Sequence, residues 1–259
     1  MLDFKQYQQL SEEFDLNTMD LEFLKRAEKV TAFNITAKDF ETLRYKAEIQ
    51  HLFNKHFFPK FKLENTLNVV DKNKLNQLID RLKSEDMGAF KTMHSYPLKG
   101  VGPGEATLYF LLNTAHLGGG SSAGVDLVVG SKKYEVKAVT VGLDGFVRDF
   151  KLGGTVNLSS IISDAVKLKK QALPNYKNAD TEINKGQIEE IRKMFPKEWA
   201  EIEKQYQEKA YSYFKDHDVI FLNNKTRKIG EIVAVKSVKK SDIELEVITN
   251  GTAKPRIKI

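Results

Sequence analysis

Apolar positions recur at helical spacing through the first third of the chain. Leu21, Phe23, Leu24 and Ala27 form one stripe, and Leu75, Leu78, Ile79 and Leu82 form a second at the i, i+3, i+4, i+7 spacing of a buried helix face. A further helix is predicted from Thr36 as its cap through Phe40, Leu43, Ala47 and Phe53, with Pro59 stopping it. Alternation at period two is missing up to about Met93, so residues 1–95 read as a helical region.

From Tyr96 the texture changes to glycine-punctuated segments. Lys99-Gly100-Val101-Gly102-Pro103-Gly104-Glu105 leads into the apolar run Ala106 to Leu117, which reads as one buried helix opened at or just after Pro103. The glycine-rich stretch Gly118 to Gly124 then breaks the chain as a flexible turn. Val125 to Val129 is rich in β-branched residues, Gly130-Ser131-Lys132 suits a hairpin turn, and Tyr134 to Val139 alternates cleanly, which predicts a hairpin. A loop holding Gly142, Gly145, Gly153 and Gly154 precedes a helix from Ser159 to Gln171. A polar helical insertion over about residues 174–216, broken by Pro174 and Pro196, reads as peripheral. Asp218 to Leu222 is a short buried strand, and Glu231 to Val238, Ile243 to Ile248 and Arg256 to Ile259 are further strands. The order helix, hairpin, helix, strand predicts a mixed α/β core over residues 96–259.

Composition narrows the chemistry. Forty-one Lys and Arg against 35 Asp and Glu leave a formal charge of +6, which favours a polyanionic partner. The absence of cysteine excludes disulfides, thiolate metal sites, zinc fingers and cysteine nucleophiles. The opening Met1-Leu2-Asp3-Phe4-Lys5-Gln6 lacks the order of a secretion signal, and no apolar run approaches the roughly 20 residues that span a bilayer. A cytoplasmic protein with no membrane partner is the expectation.

Side chains two apart on a strand share a face, so Glu135 and Lys137 project together while Tyr134, Val136 and Ala138 face the core. The turn at Gly130 brings Asp126 beside Glu135, which gives two carboxylates able to share a hard divalent cation. Glu105, at the start of the preceding helix, offers a third carboxylate, although the helix dipole also favours glutamate in any first turn. Phosphodiester cleavage uses such a set: carboxylates hold the metal, the metal polarises the phosphate, and an ammonium steadies the developing charge.

Glu105, then Gly124-Val125-Asp126, then Glu135-Val136-Lys137, the only Glu-x-Lys in the chain, resemble the PD-(D/E)xK nuclease superfamily. Val125 stands where the motif's name implies proline. The resemblance covers Lys99 to Val139 and extends more loosely to the helix at Ser159 and the strand at Val219. It implies a restriction-endonuclease-like core, a central mixed sheet flanked by helices, and a DNA endonuclease dependent on Mg2+, which Mn2+ can replace. It further implies Asp126 and Glu135 as metal ligands, Glu105 at or near the metal, the Val136 carbonyl as an oxygen ligand, and Lys137 orienting or activating the attacking water. Nucleases of this kind often act as dimers, so a homodimer is compatible with it. The style of the chain also suggests a bacteriophage-type member, located in the host cytoplasm or the virion. The alternative is an inactive DNA-binding or virion packaging protein that keeps the fold.

Basic residues offer DNA contacts in two places. Lys167, Lys169, Lys170 and Gln171 share the helix after the glycine loop, and Lys225, Arg227 and Lys228 lie near the C-terminal strands; surface solvation and edge-strand protection are the plain alternatives. Other constellations fail on their own spacing. His217-Asp218 has no later histidine to complete a metal pair, and Gly118 to Gly120 is not followed by the Gly-Lys-Ser/Thr of a phosphate loop. No Gly-x-Ser-x-Gly is present, and His51 and His56 are five apart, off the register of a helical metal pair.

Overall fold

A computed structural model describes residues 43–95, 101–120, 125–153, 156–174, 181–225 and 227–259. The stripe at Leu21 and the proposed cap at Thr36 lie outside the described residues. Contacts divide the chain into two compact units: residues 1–138 with 220–235, and residues 139–219 with 236–259.

The first unit holds helices α1 (Lys46–Phe57), α2 (Lys72–Glu85), α3 (Met87–His94) and α4 (Glu105–Leu111). Its strands are β1 (Ala115–Gly120), β2 (Val125–Val129), the first part of β3 (Lys132–Val141), β5 (Asp218–Asn223, from Ile220 on) and β6 (Ile232–Lys236, to Val235). Helix α1 begins at Lys46, with Leu43 and Arg44 outside it, and ends before Pro59 as expected. On α2, Leu75, Leu78, Ile79 and Leu82 are all buried, and Asp71 caps the helix by accepting the Lys74 N–H at 3.0 Å. The core joins these residues to Phe53, Phe58, Phe110, Leu127, Tyr134, Val136 and Leu222.

The apolar run Ala106 to Leu117 is not one helix. It is helical only to Leu111 and then turns into β1, because the carbonyls that would continue the ladder are claimed from outside. Gln50 Nε2 donates to the Phe110 carbonyl at 2.8 Å, the Leu67 N–H donates to the Leu111 carbonyl at 2.9 Å, and the Asn113 N–H returns to the Leu67 carbonyl at 2.8 Å. Each carbonyl is satisfied only if the chain leaves the helix there. Gly118 to Gly120 also differ from expectation, being strand and not turn, with a register shift between Leu117 and Gly120. A side chain at Gly118 would collide with the Val125 carbonyl oxygen, so glycine lets β1 and β2 approach. The predicted hairpin is present: β2 and β3 pair antiparallel with Val129 opposite Lys132, and Gly130 takes a positive φ of 60°.

The second unit contains the end of β3, β4 (Phe146–Arg148), α5 (Ser159–Ala172), α6 (Lys185–Met194), α7 (Pro196–Phe214), β7 (Ile243–Thr249) and β8 (Thr252–Lys258). Strands β3, β4, β8 and β7 pair antiparallel in that order. Strand β4 falls inside the stretch expected to be a glycine loop. The helical insertion is not peripheral to this unit: Trp199, Tyr206, Ala210 and Phe214 are fully buried along α7, and Gln207 donates to the Ile243 carbonyl at 2.9 Å. Pro196 opens α7 at its first position, where its missing N–H costs nothing. The chain is therefore mixed α/β, as its pattern predicts, and among the described residues no helix is long and apolar enough to cross a membrane.

Gly118→Ala is expected to destabilise the first unit by about 1–3 kcal/mol, the usual cost of forcing extra atoms into a packed contact. Urea unfolding with an unchanged m-value and a lowered midpoint is the measurement that checks it.

Candidate active site

The four side chains singled out by sequence meet in the first unit. Glu105 opens α4, Asp126 sits on β2, and Glu135 and Lys137 sit on β3. Asp126 owes its position to the end of a ladder. The β2 to β3 pairing runs from Val129 opposite Lys132 to Leu127 opposite Tyr134, and beyond it the Val136 N–H donates to Asp126 Oδ2 at 2.8 Å. A carboxylate thus takes the place of the next backbone partner. The N–H and C=O of a strand residue face the same neighbouring strand, so the Val136 carbonyl faces the Asp126 side of β3 as well.

Glu135 lies on the face opposite Tyr134 and Val136, yet it is only 2% exposed. Lys137 Nζ donates to Glu135 Oε1, and the pair is mostly buried. Asp126 and Glu135 lie on neighbouring paired strands, Asp126 bonded to the backbone of the residue after Glu135. Glu105 is buried as well, and its Oε1 accepts the Gly102 N–H at 2.6 Å. The turn that delivers it depends on Gly104, whose φ is +92° and where any side chain would run into Leu222.

Electrostatics tie the set together. Burial, and then the Glu135 charge, raise the Asp126 carboxyl to about 6, against the pull of Lys137 and the Val136 N–H. Burial, and then the Asp126 charge, hold Glu105 well above the usual carboxylate range, while the Gly102 N–H and Lys137 act in the opposite sense and Glu135 adds to the rise. Asp126 and Glu105 therefore each feel neighbouring carboxyl charges and the one ammonium, as groups gathered at one site do.

The donor set suits a hard cation of modest protein coordination. Among the described residues no three His, Cys, Asp or Glu side chains form a ready-made metal cage. Mg2+ does not need one, because it is bound by one or two carboxylates with water and substrate oxygens completing its shell. Asp126 and Glu135, with the Val136 carbonyl alongside, match that demand, and their mutual repulsion is what a divalent ion relieves.

The other expected residues are distributed differently. Lys167, Lys170 and Gln171 lie on the exposed face of α5 in the second unit, where Lys167 pairs with Asp164 at 2.9 Å. Lys169 is buried and donates to the Glu182 carbonyl at 2.5 Å, a structural task. Lys225, Arg227 and Lys228 are exposed in the first unit, between β5 and β6. His217 is buried against Tyr213 and Phe214. Sequence reasoning missed His94, which packs against Gly104; its only signal was a histidine at the end of an apolar helix ahead of the glycine run. No family model, no curated protein and no solved structure matches this chain.

The raised Asp126 carboxyl carries a stability consequence. Its folded pKa of about 6 lies above the ordinary 3.8, so the folded state binds this proton more tightly than the unfolded state. That contribution is complete below the ordinary value and is lost as the pH rises through about 6. Asp126→Asn, which can still accept the Val136 N–H, is expected to stabilise the metal-free protein at pH 8 by on the order of 2–3 kcal/mol, with the difference vanishing below about pH 4. Thermal or urea unfolding of both proteins across this range, with chelator present, checks it.

Proposed function

We propose that this chain is a divalent-metal-dependent DNA nuclease with a restriction-endonuclease-like core, cutting phosphodiester bonds with Asp126, Glu135, Glu105 and Lys137. The observation that carries the reading is geometric: Asp126 on β2 accepts the Val136 N–H of β3, and the residues on either side of Val136 are Glu135 and Lys137, whose side chains pair with each other. Sequence separation makes the arrangement informative, since Glu105, Asp126 and Glu135 come from a helix and two strands and the charges of Asp126 and Glu135 still act on Glu105.

Each residue has a physical task in that reaction. Asp126, anchored by the Val136 N–H, and Glu135 would hold a divalent ion, with the Val136 carbonyl available as a further oxygen donor. Such an ion would supply Lewis-acid polarisation of the scissile phosphate and a more acidic attacking water. Lys137 supplies a positive charge beside the reacting centre, either to orient the attacking water or to steady the extra negative charge of the transition state. Glu105 sits at the edge of the set with a carboxyl that favours its protonated form, so it can hold or relay a proton at the atoms near Gly102. Without a bound cation these carboxylates would repel a phosphate. Two unit charges 4 Å apart at an effective dielectric of 20 repel by about 4 kcal/mol, so the ion is part of the reading and not an addition to it.

Wild type is expected to cut supercoiled plasmid with Mg2+ or Mn2+ and to stop in chelator. Asp126→Ala and Lys137→Ala are each expected to lower the rate by roughly a hundredfold or more, the scale seen when one transition-state contact is removed. Mg2+ should also raise the melting temperature of wild type but not of Asp126→Ala. Full cleavage by Asp126→Ala would refute the assignment. A wild type that binds DNA and Mg2+ yet never cuts would favour the inactive, DNA-binding alternative.

A further inference from the structure

The most unusual polar side chain outside the carboxylate set is His94. Its ring is 1% exposed, and neither Nδ1 nor Nε2 has a hydrogen-bond partner. It stacks on Phe90 with ring centroids 5.6 Å apart and planes 21° apart. Burial, and then the Lys83 charge, lower its pKa to about 4, so the ring is neutral near pH 7. A buried polar ring with no partner normally costs stability, which invites the question of what its position achieves.

Its contacts answer that. A Cβ built on Gly104 would lie 3.2 Å from His94 Cε1, and a Cβ built on Gly230 would lie 3.2 Å from His94 Nδ1. Both glycines have positive φ, +92° and +79°, and the Gly104 N–H also donates to the His94 carbonyl at 2.7 Å. The imidazole therefore packs against two backbone turns, together with Leu222 at Gly104 and Phe90 at Gly230. Gly104 immediately precedes Glu105, and Gly230 closes the connection between β5 and β6.

That connection is cationic, and its described residues are hydrogen-bonded to one another. Lys225, Arg227 and Lys228 are exposed. The Lys225 N–H donates to Asn223 Oδ1 at 2.9 Å, the Lys228 N–H to the Lys225 carbonyl at 2.8 Å, and the Gly230 N–H to the Asn223 carbonyl at 2.9 Å. Among the described residues the one carboxylate within ion-pair range of the three cations is Glu231, 3.8 Å from Lys228 Nζ. The connection thus presents more positive than negative charge, and its last glycine, Gly230, packs against the same His94 ring as Gly104, the residue before Glu105.

We infer that the turn between β5 and β6 is the phosphate seat of the site: Lys225, Arg227 and Lys228 grip the sugar–phosphate backbone of a DNA duplex, and the His94 ring fixes that seat beside the carboxylates. The choice of partner rests on the nuclease reading, while the seat itself needs only a polyanion. Backbone contacts set the register of a nucleic acid without reading its sequence, and they do so only if the cations sit at a fixed distance from the reacting groups. The two glycines, packed on the His94 ring with Leu222 and Phe90, tie the end of that connection to the turn before Glu105.

The test uses the full chain with chelator present, so that binding is read without turnover. Anisotropy of a labelled duplex is followed against salt for wild type and for the Lys225→Ala, Arg227→Ala, Lys228→Ala triple variant. All three positions are exposed, so the melting temperature should not change. Loss of three phosphate contacts should flatten the log–log salt slope by about 2–3 and weaken binding at low salt by tenfold or more. As a direct contact test, Arg227→Cys places one thiol in a chain with no native cysteine, and a photo-crosslinker attached there should capture the duplex. An unchanged slope in the triple variant, no crosslink from Arg227→Cys, or no salt-dependent DNA binding by wild type would each overturn the seat. Asp126→Ala separates the two readings. If it still cuts while the triple variant loses its slope, the nuclease assignment fails and the seat stands; if it stops cutting while the triple variant keeps its slope, the reverse holds.

Discussion

The first unit is organised around a repulsion. Three carboxyl groups, Glu105 and Glu135 buried and Asp126 half-buried, lie within electrostatic reach of one another, with one ammonium among them. At an effective dielectric near 20, each close like-charge pair costs about 4 kcal/mol, comparable with the stability of a whole small domain. Burial raises that cost, because the carboxylates lose the water that would screen them. The fold keeps the arrangement by spending fixed dipoles on it: the Val136 N–H on Asp126, the Gly102 N–H on Glu105, and Lys137 on Glu135. These offset the repulsion only in part, since Asp126 and Glu105 remain displaced toward their protonated forms. A residual conflict of this kind is characteristic of sites built for a charged ligand and not for stability.

Backbone conformation does the positioning. Glu105 reaches the pocket because Gly104 turns the chain through a conformation that a side chain would obstruct, against Leu222. Asp126 reaches it because the β2 to β3 ladder stops at Leu127 and leaves the Val136 N–H for a side chain to claim. Helix α4 is short because Gln50 and Leu67 intercept its last carbonyls, which swings the chain into β1 and brings β2 alongside. Each is a local hydrogen-bonding event with a consequence for where a carboxylate points.

What could be read from sequence divides along the same line. The hairpin and its chemistry were legible because period-two alternation and a Gly130 turn fix which side chains share a face, and that put Glu135 with Lys137 and beside Asp126. The stripe on α2 was legible for the same reason at helical period. What escaped were features decided by distant partners. Nothing within Ala106 to Leu117 announces that Gln50 and Leu67 will end the helix at Leu111, and composition gave Gly118 to Gly120 the look of a turn when the need was for two strands to approach. The insertion looked peripheral because its surface is polar, yet its apolar positions Trp199, Tyr206 and Phe214 fill the core of the second unit. His94 was invisible because its importance lies in two glycines that sequence places ten and 136 residues away.

On the proposed reading, charge balance ties a divalent ion to a lysine. With Asp126 and Glu135 ionised, the site carries two negative charges against one from Lys137, and a phosphodiester approaching it would meet net repulsion. A monovalent cation would bring the set only to neutrality, whereas a divalent ion would leave one positive charge to receive the single negative charge of the phosphodiester. On that reading Lys137 would matter without ligating the ion, because it would keep a positive charge on the strand face once the two carboxylates held the ion. Replacing it with a neutral residue would therefore leave the metal ligands in place while making both the substrate and the transition state less welcome, which distinguishes its task from that of Asp126.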